Sequence, residues 1–320
     1  MKILVTGANG FVGTALCKNL VKRGFETRGA VRRDTAALPA GVSKVAVGDI
    51  TADTVWAQAL HQIDCVIHLA ARVHVMHENS PDPLYEFRKV NVEGTAKLAR
   101  EAARAGVKRL VFVSSIKVNG EATFGQPFSE SEEPHPVDPY GISKREAEDA
   151  LRSISSETGL EIVIVRPPLV YGPGVGGNFL RMLSWIEKGI PLPLGSVRNR
   201  RSMIYVDNFA DALILCASHP KAADETFLVA DAEAVSTPQL VRALSDKMSK
   251  KARVFPFPVS LLHLLGKLMG KSPEIARLTG SLVVDTTKIR ENLGWTPPYA
   301  MLEGIECSAA WYDSRPRLNH

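Results

Sequence analysis

The glycine-rich stretch MKILVTGANGFVG at residues 1–13 constrains the fold of this chain more than any other segment. Within it, an apolar run at residues 3–5 is followed by glycines at every third position and then by a helical pattern. Glycines at this spacing let backbone N–H groups approach a pyrophosphate without Cβ clashes, and the positive end of the helix dipole favours the anion. The stretch therefore predicts a strand, a turn and a helix that bind a dinucleotide, with an ordinary turn between strand and helix as the alternative. The residues expected at the cofactor here are Gly7, Gly10, Phe11, Val12 and Gly13.

The composition of the 320 residues limits the other classes of protein to which the chain can belong. With 45% hydrophobic and 23% charged residues, the chain is long enough for one large or two moderate cores. The net charge of +5 is small and the Lys and Arg residues are scattered, which disfavours nucleic-acid binding and favours anionic small molecules. No stretch resembles a signal peptide or a membrane span, which predicts no membrane insertion. The four cysteines form no CxxC pair, which predicts a reducing, cytoplasmic compartment and no metal site.

Apolar runs and amphipathic stretches alternate along the first half of the chain. Strands are expected at residues 26–31, 45–47, 63–69 and 110–113, and helices at residues 14–23, 83–105 and 140–158. This alternation predicts an α/β fold, a doubly wound Rossmann parallel sheet with a smaller C-terminal substrate domain. We expect residues 1–167 to form the NAD(P)-binding domain, with a later strand near 227–230 returning to it, and residues 168–320 to be mainly substrate-binding. Residues 261–269 are apolar but contain His263 and Lys267, which predicts an amphipathic helix under a lid or against a partner.

The end of the second strand indicates which dinucleotide binds. In a doubly wound fold this point lies beside the adenosine ribose, where an acid would accept from the 2′-hydroxyl and an arginine would pair with a 2′-phosphate. Arg32 and Arg33 stand there and no acid occupies the strand end, which favours NADP over NAD, the alternative being a solvated basic turn. Asp49, in the turn after the next strand, would accept from the adenine amino group, with Ile50 beside it.

Small and polar residues follow the later strands. Ala70 and Ala71, after Leu69, leave room for a cofactor to lie across the strand end. Asn91 lies on the packing face of the helix at 83–105, where it either satisfies nearby backbone or orients a catalytic water or lysine. Ser114 and Ser115 stand where the strand at 110–113 leaves the sheet, the edge at which ligands bind in open parallel sheets, although serine pairs also form turns.

Tyr140 and Lys144 are four residues apart in a helical pattern and therefore project from one face of the helix. An ammonium group close to a phenol stabilises the phenolate and would lower the pKa of Tyr140 toward the working range of a general acid or base. The pair therefore predicts an acid/base site downstream of the nucleotide turn.

Together these motifs resemble the extended short-chain dehydrogenase/reductase family, whose members mostly act on nucleotide-linked sugars. The motifs are TGANGFVG at 6–13, HLAA at 68–71, YGISK at 140–144 and RPPLVYGPG at 166–174, and the resemblance covers essentially the whole chain. It implies that Ser115 polarises the substrate, that Tyr140 is the acid/base and that Lys144 binds the ribose and tunes Tyr140. The resemblance also implies a homodimer formed through the helices at 83–105 and 140–158.

The same resemblance implies further binding residues. Asn178, Arg201 and Arg277 fall where family members hold the uracil and diphosphate of a UDP-sugar, a role that suits guanidinium groups. The remaining cofactor positions are Asn91, Val113 and Pro167.

Two strings indicate a narrower function. VSSIKVNGE at 113–121 and PLPLGSVRNRRS at 191–202 look most like the bacterial 4-ketoreductases that form UDP-N-acetyl-quinovosamine. The first expectation is therefore NADP-dependent reduction of the C4 ketone of a UDP-linked 6-deoxy-N-acetyl-hexosamine for bacterial surface polysaccharide. The alternative is an NAD-dependent 4-epimerase of a UDP-hexose or UDP-N-acetylhexosamine. A non-catalytic NADP-binding regulatory subunit is a second alternative, although such a subunit has no need of Ser115, Tyr140 and Lys144.

Overall fold

The computed structural model describes residues 1–73 and 80–315 of the chain. The strands in these residues are β1 (Lys2–Thr6), β2 (Glu26–Val31), β3 (Val42–Ala46), β4 (Cys65–His68), β5 (Arg109–Val113), β6 (Glu161–Arg166), β7 (Leu169–Tyr171), β8 (Met203–Tyr205) and β9 (Thr226–Leu228). The α-helices are α1 (Phe11–Lys22), α2 (Ala57–Leu60), α3 (Pro83–Arg88), α4 (Thr95–Arg104), α5 (Pro139–Thr158), α6 (Gly177–Glu187), α7 (Val206–Ser218), α8 (Thr237–Lys247), α9 (Val259–Leu268), α10 (Ser272–Thr279), α11 (Thr287–Leu293) and α12 (Met301–Asp313). A π-helical segment (Lys89–Gly94) joins α3 to α4, and 3₁₀ turns lie at Ile116–Val118 and Pro220–Ala222.

The main sheet has seven parallel strands in the order β3-β2-β1-β4-β5-β6-β9. Its central strands are continuous apolar runs because helices cover both faces of the sheet. The strand order reverses beside β1, whose neighbours are β2 on one side and β4 on the other, so a crevice opens at the carboxyl ends of β1 and β4. The predicted doubly wound α/β fold is therefore confirmed.

Two predicted helices differ in detail from the helices in the structure. The first begins at Phe11 rather than at residue 14, because Gly10 already takes the N-cap position. The pattern at 83–105 is helical throughout but contains the π-helical segment in its middle. There the helix passes close to Ile50, since a Cβ on Gly94 would lie 2.6 Å from the Ile50 Cγ2 atom. A π-helical turn of this kind often marks a functional site.

The second half of the chain contributes to both the sheet and a separate core. Strand β9 pairs with β6 at the edge of the main sheet, and α7 and α11 supply Leu213 and Ile289 to the core that covers one sheet face. The separate core surrounds the two-stranded β7-β8 sheet and includes Phe179, Leu183 and Leu244 from α6 and α8. Residues after 167 therefore cover one face of the Rossmann sheet and also form the separate core, which lies on the predicted substrate side and is called the substrate-side core below.

No helix within residues 1–73 and 80–315 is long and apolar enough to cross a membrane.

Candidate active site

The glycine turn between β1 and α1 brings two backbone segments into close contact. The Gly10 N–H donates to the Gly7 carbonyl at 3.0 Å, and a Cβ on Gly13 would lie only 2.1 Å from that same carbonyl oxygen. Gly7 has φ +67°, a left-handed conformation that favours glycine. The α1 N-terminus has no side-chain cap, so no capping side chain satisfies the first backbone N–H groups of the helix. These features fit a dinucleotide pyrophosphate, and the turn residues would hold it.

A buried hydrogen-bond network fixes the adjoining strand ends. The Thr6 hydroxyl oxygen accepts from the N–H groups of Leu69 and Ala70, at 3.2 and 3.1 Å, so its proton goes to His68 Nδ1 at 2.6 Å. His68 is therefore the Nε2–H tautomer and donates to Thr95 Oγ1 at 2.9 Å. Burial lowers the pKa of His68 to about 3 and thus keeps the ring neutral. The network holds the backbone of Leu69 and Ala70, two predicted cofactor positions, beside the glycine turn.

The residues expected around the adenosine contact each other. The Arg32 Nε atom lies 2.8 Å from Asp49 Oδ1, and the two side chains are 71% and 73% exposed. The sequence assigned these two side chains to different parts of the cofactor, whereas the structure pairs them in one surface ion pair. Arg33 is exposed beside them, and Ile50 packs against the π-helical segment.

Asn91 satisfies nearby backbone, the first of its two predicted roles. Its side-chain oxygen accepts from the Arg72 N–H at 2.8 Å, and its amide nitrogen donates to the Arg72 carbonyl at 3.0 Å. The same nitrogen donates to Ser143 Oγ at 3.0 Å, which ties the π-helical segment to α5. Asn91 thereby fixes the chain just after Ala71.

The structure brings together the three predicted catalytic side chains at the carboxyl end of β5. The Tyr140 hydroxyl is hydrogen-bonded to the Ser115 hydroxyl. Lys144 Nζ donates to the Val113 carbonyl at 2.8 Å and lies 6.0 Å from the centre of the Tyr140 ring. Asp138 caps α5 by accepting from the Gly141 N–H at 2.7 Å, which fixes the first helical turn and the Tyr140 backbone. The spacing argument for Tyr140 and Lys144 is therefore confirmed.

The expected lowering of the Tyr140 pKa is wrong for this structure. Burial and the Asp138 charge raise the pKa of Tyr140 above its usual value, and only the Ser115 hydrogen bond lowers it. Burial also lowers the pKa of Lys144 to about 7, against the opposing effect of the Glu148 charge. Burial therefore outweighs the Ser115 hydrogen bond at Tyr140, and the phenol is protonated near neutral pH.

Glu148 and Arg166 form a buried ion pair beneath the site, which the sequence analysis did not identify. Arg166 donates from Nε and Nη2 to the two Glu148 oxygens at 2.8 and 2.5 Å. Ser114 donates to Glu148 at 2.6 Å, and Asn119 accepts from Arg166 at 3.0 Å. Glu148 follows Lys144 by four residues and therefore lies on the same face of α5. A carboxylate on this buried face was the sequence signal that could have identified the ion pair. Ser114 therefore faces the core, and Ser115 faces Tyr140.

A second charged cluster, also missed, lies beside the site and is partly exposed. Lys117 Nζ contacts Glu121 at 2.6 Å and also contacts Asp138, the residue that caps α5. Burial lowers the pKa of Arg201, and the nearby Arg277 charge lowers it further. The Glu121 charge raises the pKa of Arg201 but does not offset these two effects. This cluster connects the catalytic helix to the predicted diphosphate residues. The available signal was Asp138 immediately before Pro139, a helix-start pattern.

The predicted substrate residues are only partly brought together. Arg201 Nη1 donates to the backbone carbonyls of Arg277 and Gly280, at 2.9 and 3.2 Å, and the Arg277 side chain is exposed nearby. Asn178 lies in the first turn of α6, exposed, with its side-chain oxygen accepting from Arg181 at 2.5 Å. Pro167 is buried, and its carbonyl accepts from the Ile116 N–H at 3.0 Å.

No group of three or more His, Cys, Asp or Glu side chains in the described residues is arranged to hold a metal ion.

Comparisons with known proteins agree with this geometry. The family model described as "NAD dependent epimerase/dehydratase family" matches residues 3–230. The chain is 44% identical over 314 residues to the "UDP-glucose 4-epimerase" of Vibrio cholerae, covering 96% of this chain and 94% of the relative. It is 28% identical over 321 residues, covering 95% and 93%, to the "N-acetyl-alpha-D-glucosaminyl-diphospho-ditrans,octacis-undecaprenol 4-epimerase" of Escherichia coli O157:H7. The solved structure "MoeE5 in complex with UDP-glucose and NAD" has a TM-score of 0.78 and 26% identity, covering 98% of this chain and 99% of that one.

The match to the family model covers more than half of the chain, and the Vibrio cholerae relative is similar over nearly all of it. The glycine turn and the group formed by Ser115, Tyr140 and Lys144 lie at the strand ends for which the motifs predicted a dinucleotide turn and an acid/base group. The chain therefore belongs to the NAD dependent epimerase/dehydratase family.

Proposed function

We propose that this protein is an NAD-dependent 4-epimerase of a UDP-hexose or UDP-N-acetylhexosamine. The observation that carries the proposal is the hydrogen-bonded Ser115 and Tyr140 pair with Lys144 behind it, at the strand edge beside the glycine turn. Two relatives named above are 4-epimerases, which supports this alternative over the 4-ketoreductase that the sequence strings favoured. The bound NAD of the MoeE5 structure supports NAD over NADP.

When bound, the nicotinamide would accept a hydride from C4 of the sugar and return it. Tyr140 would exchange a proton with the C4 oxygen, because its hydroxyl is hydrogen-bonded to the Ser115 hydroxyl. Ser115 would hydrogen-bond the same oxygen and hold it against Tyr140. Lys144, fixed by the Val113 carbonyl, would bind the cofactor ribose. An epimerase returns the hydride to the opposite face of C4, so the sugar ring must turn within the site.

The diphosphate would hold the substrate while the sugar turns. Arg201 and Arg277 lie together on the substrate side, and guanidinium groups pair strongly with phosphate oxygens. The Arg201 guanidinium is already oriented by two backbone carbonyls, so less side-chain freedom is lost on binding. Both named 4-epimerase relatives act on sugars joined through a diphosphate, according to their names, and these arginines fit that shared group.

We also propose the homodimer through α3, α4 and α5. Arg88 and Glu146 already join α3 to α5 within one chain by two hydrogen bonds of 2.8 and 2.5 Å, so these helices form one surface.

Product analysis tests the proposed reaction. The purified protein is incubated with UDP-glucose and, separately, with UDP-N-acetylglucosamine in the presence of NAD, and the products are separated from their C4 epimers by chromatography. We expect C4 interconversion of one or both sugars with no net change at the nicotinamide absorbance band. A UDP-4-keto-6-deoxy-N-acetyl-hexosamine supplied with NADPH provides the opposing assay. Stoichiometric NADPH consumption there, with no epimerisation, would establish the reductase instead.

A further inference from the structure

Helix α9 exposes a continuous apolar stripe to solvent. Leu261, Leu264, Leu265 and Leu268 are 47%, 53%, 46% and 75% exposed, and Met269 directly after the helix is 64% exposed. These leucines are spaced by three and four residues and therefore lie on one helical face. A soluble helix normally turns such a face toward the core. Here that face has no core to contact among the described residues.

The opposite face of α9 already has its own packing. Leu262 is buried in the substrate-side core, and Gly266 approaches α10 so closely that an added Cβ would lie 2.7 Å from the Ile275 side chain. Helices α9 and α10 therefore form a hairpin, and no residue of α10 is fully buried. The apolar stripe is thus a second face of α9, separate from the face that holds the hairpin to the protein.

The charged side chains of the segment that leads into α9 and forms it are basic only, whereas α10 carries Glu274 and Arg277. Residues 250–271 contain five basic side chains and no Asp or Glu, and the whole chain has a net charge of +5. The rest of the chain is therefore formally neutral. These five side chains are exposed, and none forms an ion pair with a residue that the structure describes. The basic side chains are Lys250, Lys251, Arg253, Lys267 and Lys271.

We propose that the α9–α10 hairpin docks on the surface of an anionic lipid bilayer. An amphipathic helix with leucine on one face and lysines at its edge lies in the plane of the membrane interface. The ten residues of α9 span roughly 15 Å, half the thickness of a bilayer core, so the helix rests on the membrane and does not cross it. Protein interfaces are instead enriched in aromatic residues and arginine, and none of the five residues of the stripe is of these types.

Docking in this orientation would bring the predicted substrate side close to the lipid headgroups. Arg277 lies on α10, and its backbone carbonyl accepts from Arg201, so the two diphosphate arginines adjoin the hairpin. A diphosphate carried by a membrane lipid would then meet them at the bilayer surface. The docking itself does not depend on the proposed epimerase activity.

Vesicle sedimentation with the full chain tests the proposal. Large vesicles of phosphatidylcholine alone and of phosphatidylcholine with phosphatidylglycerol are mixed with the protein at low and high salt. We expect binding to the anionic vesicles that weakens with salt, and little binding to phosphatidylcholine alone. The Leu268→Gln variant should bind about tenfold more weakly, and Lys267→Gln about fivefold more weakly. Leu302→Gln removes a leucine of similar exposure, 60%, from α12 and should bind as the unmodified protein does.

Three outcomes would overturn the docking proposal. One is that the unmodified protein stays in the supernatant with both kinds of vesicle. Another is that Leu268→Gln and Leu302→Gln reduce binding equally. The third is that light scattering without lipid shows an assembly that Leu268→Gln dissociates, which would assign the stripe to a protein interface. Epimerisation of a UDP-sugar in lipid-free buffer, measured on the same samples, tests the proposed function separately and should be unchanged in both α9 variants.

Discussion

The cofactor side and the substrate side of the candidate site differ in how their polar groups are held. On the cofactor side, Thr6, His68 and Thr95 are buried and bond to one another or to strand backbone. On the substrate side, Asn178 and Arg277 are exposed, and Arg201 is held by carbonyls of α10 and the residue after it. The predicted cofactor side is fixed by buried hydrogen bonds, whereas two of the predicted substrate residues are exposed.

This difference indicates how one family can serve several substrates. A fixed cofactor side keeps the reacting groups in a single geometry, and changing it costs folding free energy as well as activity. An exposed substrate side can change with little loss of stability, because its residues are not part of a core. The two 4-epimerase relatives have names that give different substrates, UDP-glucose for one and an undecaprenol-linked sugar for the other. Such a difference is expected where only the substrate side varies. Substitutions on each side of the site test this difference.

Gly13→Ala should cause the largest loss. Its Cβ would lie 2.1 Å from the Gly7 carbonyl oxygen and 2.8 Å from the Ala8 Cα, so the turn must open. We expect undetectable NADH binding in a fluorescence titration and a fall of about 1–3 kcal/mol in the free energy of unfolding. Gly176→Ala is the control, since a Cβ there meets nothing within 4 Å. Ordinary NADH affinity in Gly13→Ala would show that the turn is not held rigidly.

Tyr140→Phe should lower turnover by about 10²- to 10⁴-fold and leave NADH affinity and the melting temperature unchanged, because only a proton donor is removed. Steady-state kinetics and the same titration measure this. Tyr85→Phe, an exposed tyrosine in α3, is the matched control and should be silent. Near-normal turnover in Tyr140→Phe would remove Tyr140 from the reaction.

The adjacent serines should have opposite effects. Ser115→Ala should lower turnover, less severely than Tyr140→Phe, because the Ser115 hydroxyl bonds to Tyr140. Ser114→Ala should instead lower the free energy of unfolding by about 1–3 kcal/mol, because it leaves a buried Glu148 oxygen with one donor fewer. Urea unfolding measures the free energy of unfolding of both variants, and steady-state kinetics measures their turnover. A silent Ser115→Ala together with a slow Ser114→Ala would reverse the assignment.

Arg201→Ala should weaken UDP-sugar binding by about 1.5–3 kcal/mol, as expected for one lost charge-assisted contact, and leave cofactor affinity alone. Isothermal titration calorimetry with the sugar nucleotide and with NADH separates the two affinities. Arg200→Ala changes the neighbouring exposed arginine and serves as the control. Unchanged UDP affinity in Arg201→Ala would exclude Arg201 from the substrate site.

Asp49→Asn should have the smallest effect. It releases Arg32 from an ion pair that is more than two-thirds exposed, and such pairs contribute only about 0–1 kcal/mol. We expect the ratio of NADPH to NADH affinity to rise no more than about fivefold in the variant, and to fall back when Arg32→Ala is added. Titrations with both nucleotides measure the ratio. A preference for NADPH of a hundredfold or more in the unmodified protein would favour the NADP-dependent reductase.

Features that depend on residues close together in the chain were predictable from the sequence. The continuous apolar strands and the glycine turn predicted the parallel sheet and the crevice, and the four-residue spacing placed Tyr140 and Lys144 on one helical face. Each of these follows from strand, turn or helix geometry within a dozen residues, so it can be read locally.

Only tertiary packing specifies which polar side chains contact one another. It assigned Asn91 to the Arg72 backbone, turned Ser114 toward Glu148, and paired Arg32 with Asp49. These partners lie 17 to 34 residues apart in the sequence, and no local pattern specifies them. The raised pKa of Tyr140 has the same origin, because burial is a property of the whole packed fold rather than of the four-residue spacing between the phenol and its lysine.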